Sequence, residues 1–133
     1  MLRYALDTNF CIHVLRGRAP ALRARFNAEA EALSISTIVL MELLQGAGRS
    51  ARPAETRSAV AGFAARLAVL DFNADAAGHA ADIAASLHKA GLPIGAYDTL
   101  IAGHARSRGL IIVTSNLREF SRVEGLRCED WLA

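Results

Sequence analysis

Apolar residues fall along this chain in two rhythms, short continuous runs and helical stripes. Tyr4-Ala-Leu6, Leu33-Ser-Ile35, Ala68-Val-Leu-Asp-Phe72 and Leu110-Ile-Ile-Val-Thr114 are the runs. They read as strands, and Leu110–Thr114, rich in branched residues, suits a sheet buried on both faces. Between them apolar positions recur at helical spacing. Helices are expected from Thr8 or Asn9 to about Arg16, Ala21 to about Ala32, Ile38 to Gln45, and about Ala54 to Leu67. Two more run from Asn73 or Asp75 to about Ala90 and from Ala96 to about Arg108, with Tyr97, Leu100, Ile101 and Ala105 on the inner face of the latter. Gly17-Arg-Ala-Pro20, the stretch from Gly46 to Pro53, and Gly91-Leu-Pro-Ile-Gly95 read as breaks. Asn116 followed by Glu119 has the form of a capping box opening a short helix, and a brief edge strand is expected near Arg127 to Glu129.

This alternation predicts an α/β fold, a three-layer arrangement of about 4–5 mostly parallel strands with helices on both faces. At 133 residues the chain has the size of one domain with a real core. It contains no repeats and no internal linker.

Composition narrows the class. Hydrophobic residues make up 53% and charged residues 21%, which excludes a disordered chain. No apolar run reaches the roughly 18 residues of a membrane span, and the first residues lack the apolar segment of a signal peptide, so a cytoplasmic location is expected. Cys11 and Cys128 lie far apart and read as free thiols. The four histidines form no zinc-binding spacing. Net charge is only +2, but fourteen of the fifteen basic residues are arginine. Arg3, Arg16, Arg18, Arg23 and Arg25 form one cluster; Arg49, Arg52, Arg57 and Arg66 form another. The planar guanidinium fork suits phosphate, although solvated helix faces would also account for them.

Three acids stand apart. Asp7 ends the first strand beside a helix N-terminus, where ligands gather in open α/β sheets, and it could equally be a plain helix cap. Glu42 sits in a helix that is apolar nearly all the way round, which predicts burial on most faces. An unpartnered carboxylate there is costly, so Glu42 either leaves through a polar seam or faces a cation. Asp98 falls in the first turn of its helix, a position the helix dipole favours. Acids converging from distant segments repel unless a cation holds them, and hard oxygen donors without His or Cys favour Mg2+, with Mn2+ a substitute. The matching chemistry is metal-assisted attack of water on a phosphodiester. Asp71, Asp75 and Asp82 read as caps or solvated acids.

Four blocks carry a resemblance: Leu6-Asp-Thr-Asn9, Met41-Glu-Leu-Leu-Gln-Gly46, Tyr97-Asp-Thr-Leu-Ile-Ala-Gly-His104, and Val113-Thr-Ser-Asn-Leu-Arg-Glu-Phe120. In order and spacing they resemble the PIN-domain ribonucleases, and within them the VapC-type toxins of type II toxin–antitoxin pairs. The resemblance covers essentially the whole chain, 1–133, as a single PIN domain. It implies an endoribonuclease that leaves a 5′-phosphate and a 3′-hydroxyl on tRNA or ribosomal RNA and so arrests translation. It implies Asp7 and Asp98 as magnesium ligands and Glu42 as a third acid, ligand or water-orienting base. Asn116 stands where many relatives carry a fourth acid, and Glu119 could supply that charge. Thr8 and Thr114, with Asn9, are implied as supporting residues that orient the acids or the substrate phosphate. A VapB-type antitoxin would block the site and carry the DNA-binding part, so DNA contact would be indirect, and the toxin would dimerise. Two other classes compete: a PIN-fold RNA- or partner-binding regulator without turnover, and phosphotransfer through Asp7. The lack of a second acid next to Asp7 and of a well-placed lysine speaks against the latter.

Overall fold

The computed structural model describes residues 1–17 and 20–132. Arg18, from the first arginine cluster, and part of the Gly17–Pro20 break lie outside the described residues. Five strands form one sheet: β1 (Tyr4–Leu6), β2 (Leu33–Ser36), β3 (Ala68–Leu70), β4 (Ile111–Val113) and β5 (Cys128–Glu129). The order is β3-β2-β1-β4-β5 and every pairing is parallel. The expected parallel α/β architecture is therefore the one observed. β1 and β4 are fully buried, as their apolar runs require.

The chain leaves β1 in one direction to β2 and returns to pair β4 on its other side. That reversal opens a crevice at the carboxyl ends of the central strands. Asp7 follows β1, α3 (Thr37–Gly48) follows β2, and Thr114 follows β4, so all three arrive at this edge. The remaining helices are α1 (Thr8–Arg16), α2 (Pro20–Ala28), α4 (Pro53–Ala64), α5 (Ala74–Lys89), α6 (Ala96–Ser107) and α7 (Leu117–Phe120). None of the described helices is long and apolar enough to cross a membrane.

Three features place α6, the bearer of Asp98. Gly103 lets it approach α5 closely, because a Cβ there would lie 2.6 Å from the Ala80 Cα and backbone N. Arg106 donates to His79 Nδ1 at 2.9 Å, to Asp82 at 2.8 Å and to the Glu124 carbonyl at 3.0 Å, joining α5, α6 and the C-terminal segment. At the helix's end, Gly109 takes a left-handed φ of 65° and turns the chain into β4.

Several elements depart from their expected form. The second helix stops at Ala28, and a 3-10 turn over Ala30–Ala32 finishes the connection. α3 continues past Gly46 to Gly48, since burial of Ala47 outweighs the modest helix penalty of glycine. β3 is shorter than the Ala68–Phe72 run, because the Phe72 N–H leaves the ladder for Thr37 Oγ1 at 3.2 Å. α3 is not buried on most faces: Val39, Leu43 and Ala47 are inside, but Leu44 is exposed and Ile38, Leu40 and Met41 are only half-buried. Tyr97 is 45% exposed and does not belong to the inner face of α6.

Candidate active site

Asp7 is 3% exposed at the carboxyl end of β1. It is the N-cap of α1, its Oδ1 accepting from the Phe10 N–H at 2.8 Å. Thr8 and Asn9, expected as caps, are instead the first helical residues, because the carboxylate one position earlier already satisfies the free N–H. Burial is the largest influence on Asp7 and raises its pKa. The Thr114 hydroxyl and the Phe10 N–H pull it down, Glu42 pushes it up, and His13 pulls it down.

Thr8 turns towards α3 and donates to Glu42 Oε1 at 2.7 Å. Glu42 is half-buried and lines a groove of about 460 Å3 together with Ile12, Leu15, Arg16, Ala47 and Val60. Glu42 thus reaches solvent at the edge of a largely apolar groove, its carboxylate held by the Thr8 hydroxyl. Asp98 enters from the first turn of α6 and is raised to about 6. Burial is the main cause, followed by repulsion from Asp7, then Glu119, then Glu42. Gly95, the N-cap of α6, makes room for it: a Cβ at that position would meet Asp98 Oδ2 at 3.4 Å.

Thr114 is fully buried and its Oγ1 accepts from the Asn116 N–H at 2.8 Å. Asn116 precedes α7 but makes no side-chain cap bond. Its Nδ2 instead donates to Glu119 Oε2 at 3.1 Å. The reciprocal capping box expected for this pair does not form, because the Asn116 N–H is taken by Thr114 and its amide is turned to the Glu119 carboxylate. Asn9 is exposed and stands outside this hydrogen-bonded set.

The structure thus brings Asp7, Glu119 and Glu42 within electrostatic reach of Asp98, and Glu42 within reach of Asp7, with Thr8, Thr114 and Asn116 hydrogen-bonded beside them. Among the described residues none of the four acids has a salt-bridge partner, whereas Glu129, Glu55 and Asp82 do. Nor do any three described His, Cys, Asp or Glu side chains stand close enough to form a ready-made metal cage. Mg2+ needs none: it binds through one or two carboxylates, keeps several waters and shares its shell with phosphate. An unneutralised set of hard oxygens, two of them raised by burial and mutual repulsion, fits such an ion.

Of the arginines, Arg16 lines the groove beside Glu42. Arg25 stacks over Trp131 and pairs with Glu129, Arg52 pairs with Glu55, and Arg66 bonds Asn27. The sequence singled out neither Gly95 nor the Thr8–Glu42 bond. A glycine three residues before an acid at a helix start was the available signal for Gly95.

A crevice at the switch point of a parallel sheet, ringed by acids, defines a class, and comparison with known proteins agrees. The PIN domain model matches residues 4–126, and the chain belongs to that family. It is 50% identical over 131 residues to the tRNA(fMet)-specific endonuclease VapC of Shigella flexneri, covering 98% of this chain and 99% of the relative. The crystal structure of DNA-bound VapBC from Salmonella typhimurium contains a chain with TM-score 0.95 and 49% identity, covering 98% of this chain and 99% of that one. The structure of VapBC2 from Rickettsia felis, bound to a DNA fragment from its promoter, gives a TM-score of 0.92 at 32% identity, with 98% and 99% coverage. Within the family, the chain stands with the VapC ribonucleases.

Proposed function

We propose that this protein is the toxin of a VapBC-type pair, a Mg2+-dependent endoribonuclease that cuts tRNA in the cytoplasm and is silenced by a VapB-type antitoxin. The name of the Shigella flexneri relative, at 50% identity over nearly the full chain, supports tRNA, and initiator tRNA in particular, as the substrate. The similarity to the toxin chains of two DNA-bound VapBC complexes supports the antitoxin partner and an assembly that binds DNA. Residues 1–133 work as one domain, in a toxin dimer within the larger complex.

The observation that carries the reading is that Asp7 and Asp98 are buried acids at one sheet edge, each further raised by the charge of Glu42, and that neither they nor Glu42 has a salt-bridge partner among the described residues. Asp7 and Asp98 would hold the ion, with Glu42 reaching it through water. Bound there, the ion would supply charge neutralisation on the phosphodiester and a lower pKa for the attacking water. Glu42, oriented by Thr8, would serve as the acceptor for that water's proton. Thr114 steadies Asp7 and the Asn116 backbone. Asn116 is neutral where a fourth acid would sit and holds Glu119 by its amide, so Glu119 would contribute the charge at that place. Arg16, beside Glu42, is placed to receive a flanking phosphate.

The test is cleavage of total tRNA and ribosomal RNA in Mg2+ with and without EDTA, for the wild type, Asp7→Asn and Asp98→Asn. Cleavage should vanish with EDTA and in both variants. Undiminished cutting in EDTA, or in either variant, rejects the proposal.

A further inference from the structure

His104 closes the third block of the resemblance but has no part in the chemistry above. It is 3% exposed on α6, and its ring meets that of Phe72 edge to face, 5.7 Å between centroids. Its Nε2 is buried and has no hydrogen-bond partner among the described residues. A buried polar atom left so forfeits its hydration with no return, and such atoms in folded proteins are usually met by ordered solvent.

Beside the ring lies a cavity of about 10 Å3 with a largely apolar lining that includes Ala5, Leu70, Ile101, Ser34 and Ser36. One water molecule needs about 10–15 Å3 and two to four polar neighbours. The serines' other bonds fix how they can meet it. Ser34 Oγ gives its proton to the Tyr4 carbonyl at 2.8 Å, so towards the cavity it only accepts. Ser36 Oγ accepts from the Val39 N–H at 3.1 Å as the cap of α3, so its own proton is free.

We infer that one water molecule is bound in this cavity, accepting from Ser36 and donating to Ser34 and to His104 Nε2. This pattern makes His104 the neutral tautomer with its proton on Nδ1. Burial first, and the Arg108 charge second, hold its pKa below the ordinary value against the pull of Asp71, which keeps the ring neutral. The water joins β2 to α6. Ser36 caps the helix that carries Glu42, and α6 carries Asp98, so the bridge sets the spacing of the two acids. His104 is then a positioning residue; this second step rests on the catalytic reading, whereas the water site does not.

Long-range 1H–15N spectra of the labelled full chain test the site directly. A pyridine-type Nε2, a pyrrole-type Nδ1 and a cross-peak from the ring to a long-lived water are expected. A pyrrole-type Nε2, or no such water, overturns it. For the positioning role, His104→Gln offers a carbonyl to the same water, and His104→Leu offers nothing. With RNA at saturation, kcat should stay within about twofold in the Gln variant and fall about tenfold or more in the Leu variant, KM unchanged. Calorimetric Mg2+ binding should weaken in the Leu variant alone. A folded Leu variant with wild-type kcat and Mg2+ binding overturns the role. Should the Leu variant fail to fold, Ser34→Ala removes one leg of the bridge, and the same losses in milder form are expected; their absence overturns the role equally. A wild-type protein that cleaves no RNA would defeat the catalytic reading while leaving the spectroscopic result intact.

Discussion

Thr8 Oγ1 stands 2.7 Å from Glu42 Oε1, joining the first turn of α1 to the middle of α3. The bond explains how a carboxylate survives within a largely apolar helix: one oxygen is held by a hydroxyl, which leaves the other for the crevice. Hydrogen bonds to charged groups contribute about 1.5–3 kcal/mol, enough to hold a side chain in one orientation.

Thr8→Val keeps the side chain's outline and removes that donor. Steady-state cleavage should show kcat lowered by about ten- to a hundredfold with KM little changed, because the proposed role of Glu42 is on the attacking water and not in RNA binding. The melting temperature should fall by a few degrees, as the bond is partly buried and its acceptor is charged.

Asp98 links activity and stability in opposite senses. Its carboxyl is raised from 3.8 to about 6 in the fold. Between those values the folded chain keeps a proton that the unfolded chain has lost. The group's contribution to stability is therefore full below the unfolded value and disappears as pH rises through about 6. Mg2+ affinity should rise through the same window, because on the proposed reading the ion competes with that proton for the carboxylate. Asp98→Asn removes the charge that burial penalises, so at neutral pH the metal-free variant should melt higher than the wild type while cleaving nothing. Below the ordinary carboxylate range the two melting temperatures should converge. Calorimetry at the two pH values decides it.

Gly95→Ala tests the space around the same carboxylate. The added Cβ would lie 3.4 Å from Asp98 Oδ2, at the limit of ordinary van der Waals contact, and would narrow the rotations open to the carboxylate. Backbone φ at this position is −56°, which alanine adopts freely, so stability should be preserved. The expected result is weaker Mg2+ binding and slower cleavage on an unchanged melting curve.

Gly103→Ala should do the reverse. Its Cβ would meet Ala80 backbone at 2.6 Å, so α5 and α6 must separate. Overpacking of this kind costs about 1–3 kcal/mol. Urea denaturation should show a lower midpoint with an unchanged slope, and the cleavage by the remaining folded protein should fall less than in Thr8→Val.

The two central strands were legible because they are buried on both sides, and Tyr4–Leu6 and Ile111–Val113 carry no polar residue to say otherwise. The three acids were legible because each interrupts an apolar stretch. What escaped is decided by tertiary contact. An all-apolar α3 states only that something must cover it, and Leu44 shows that this chain does not provide all of the cover. Asn116 and Glu119 have the spacing of a capping box, but competition from Thr114 for the Asn116 N–H is invisible in sequence. Tyr97 fits the helical stripe of α6 but sits in its first turn, where the core has not yet closed over the helix. The approach of Gly95 to Asp98 depends on a side-chain rotamer, which spacing cannot give.

The location of the divalent ion is the point on which the catalytic account turns. Crystals of the full chain soaked in Mn2+ and measured at the manganese absorption edge would show it directly. Anomalous density between the Asp7 and Asp98 carboxylates, lost in Asp98→Asn, is the predicted result. Density at another site, or none at a concentration that supports cleavage, would contradict the account.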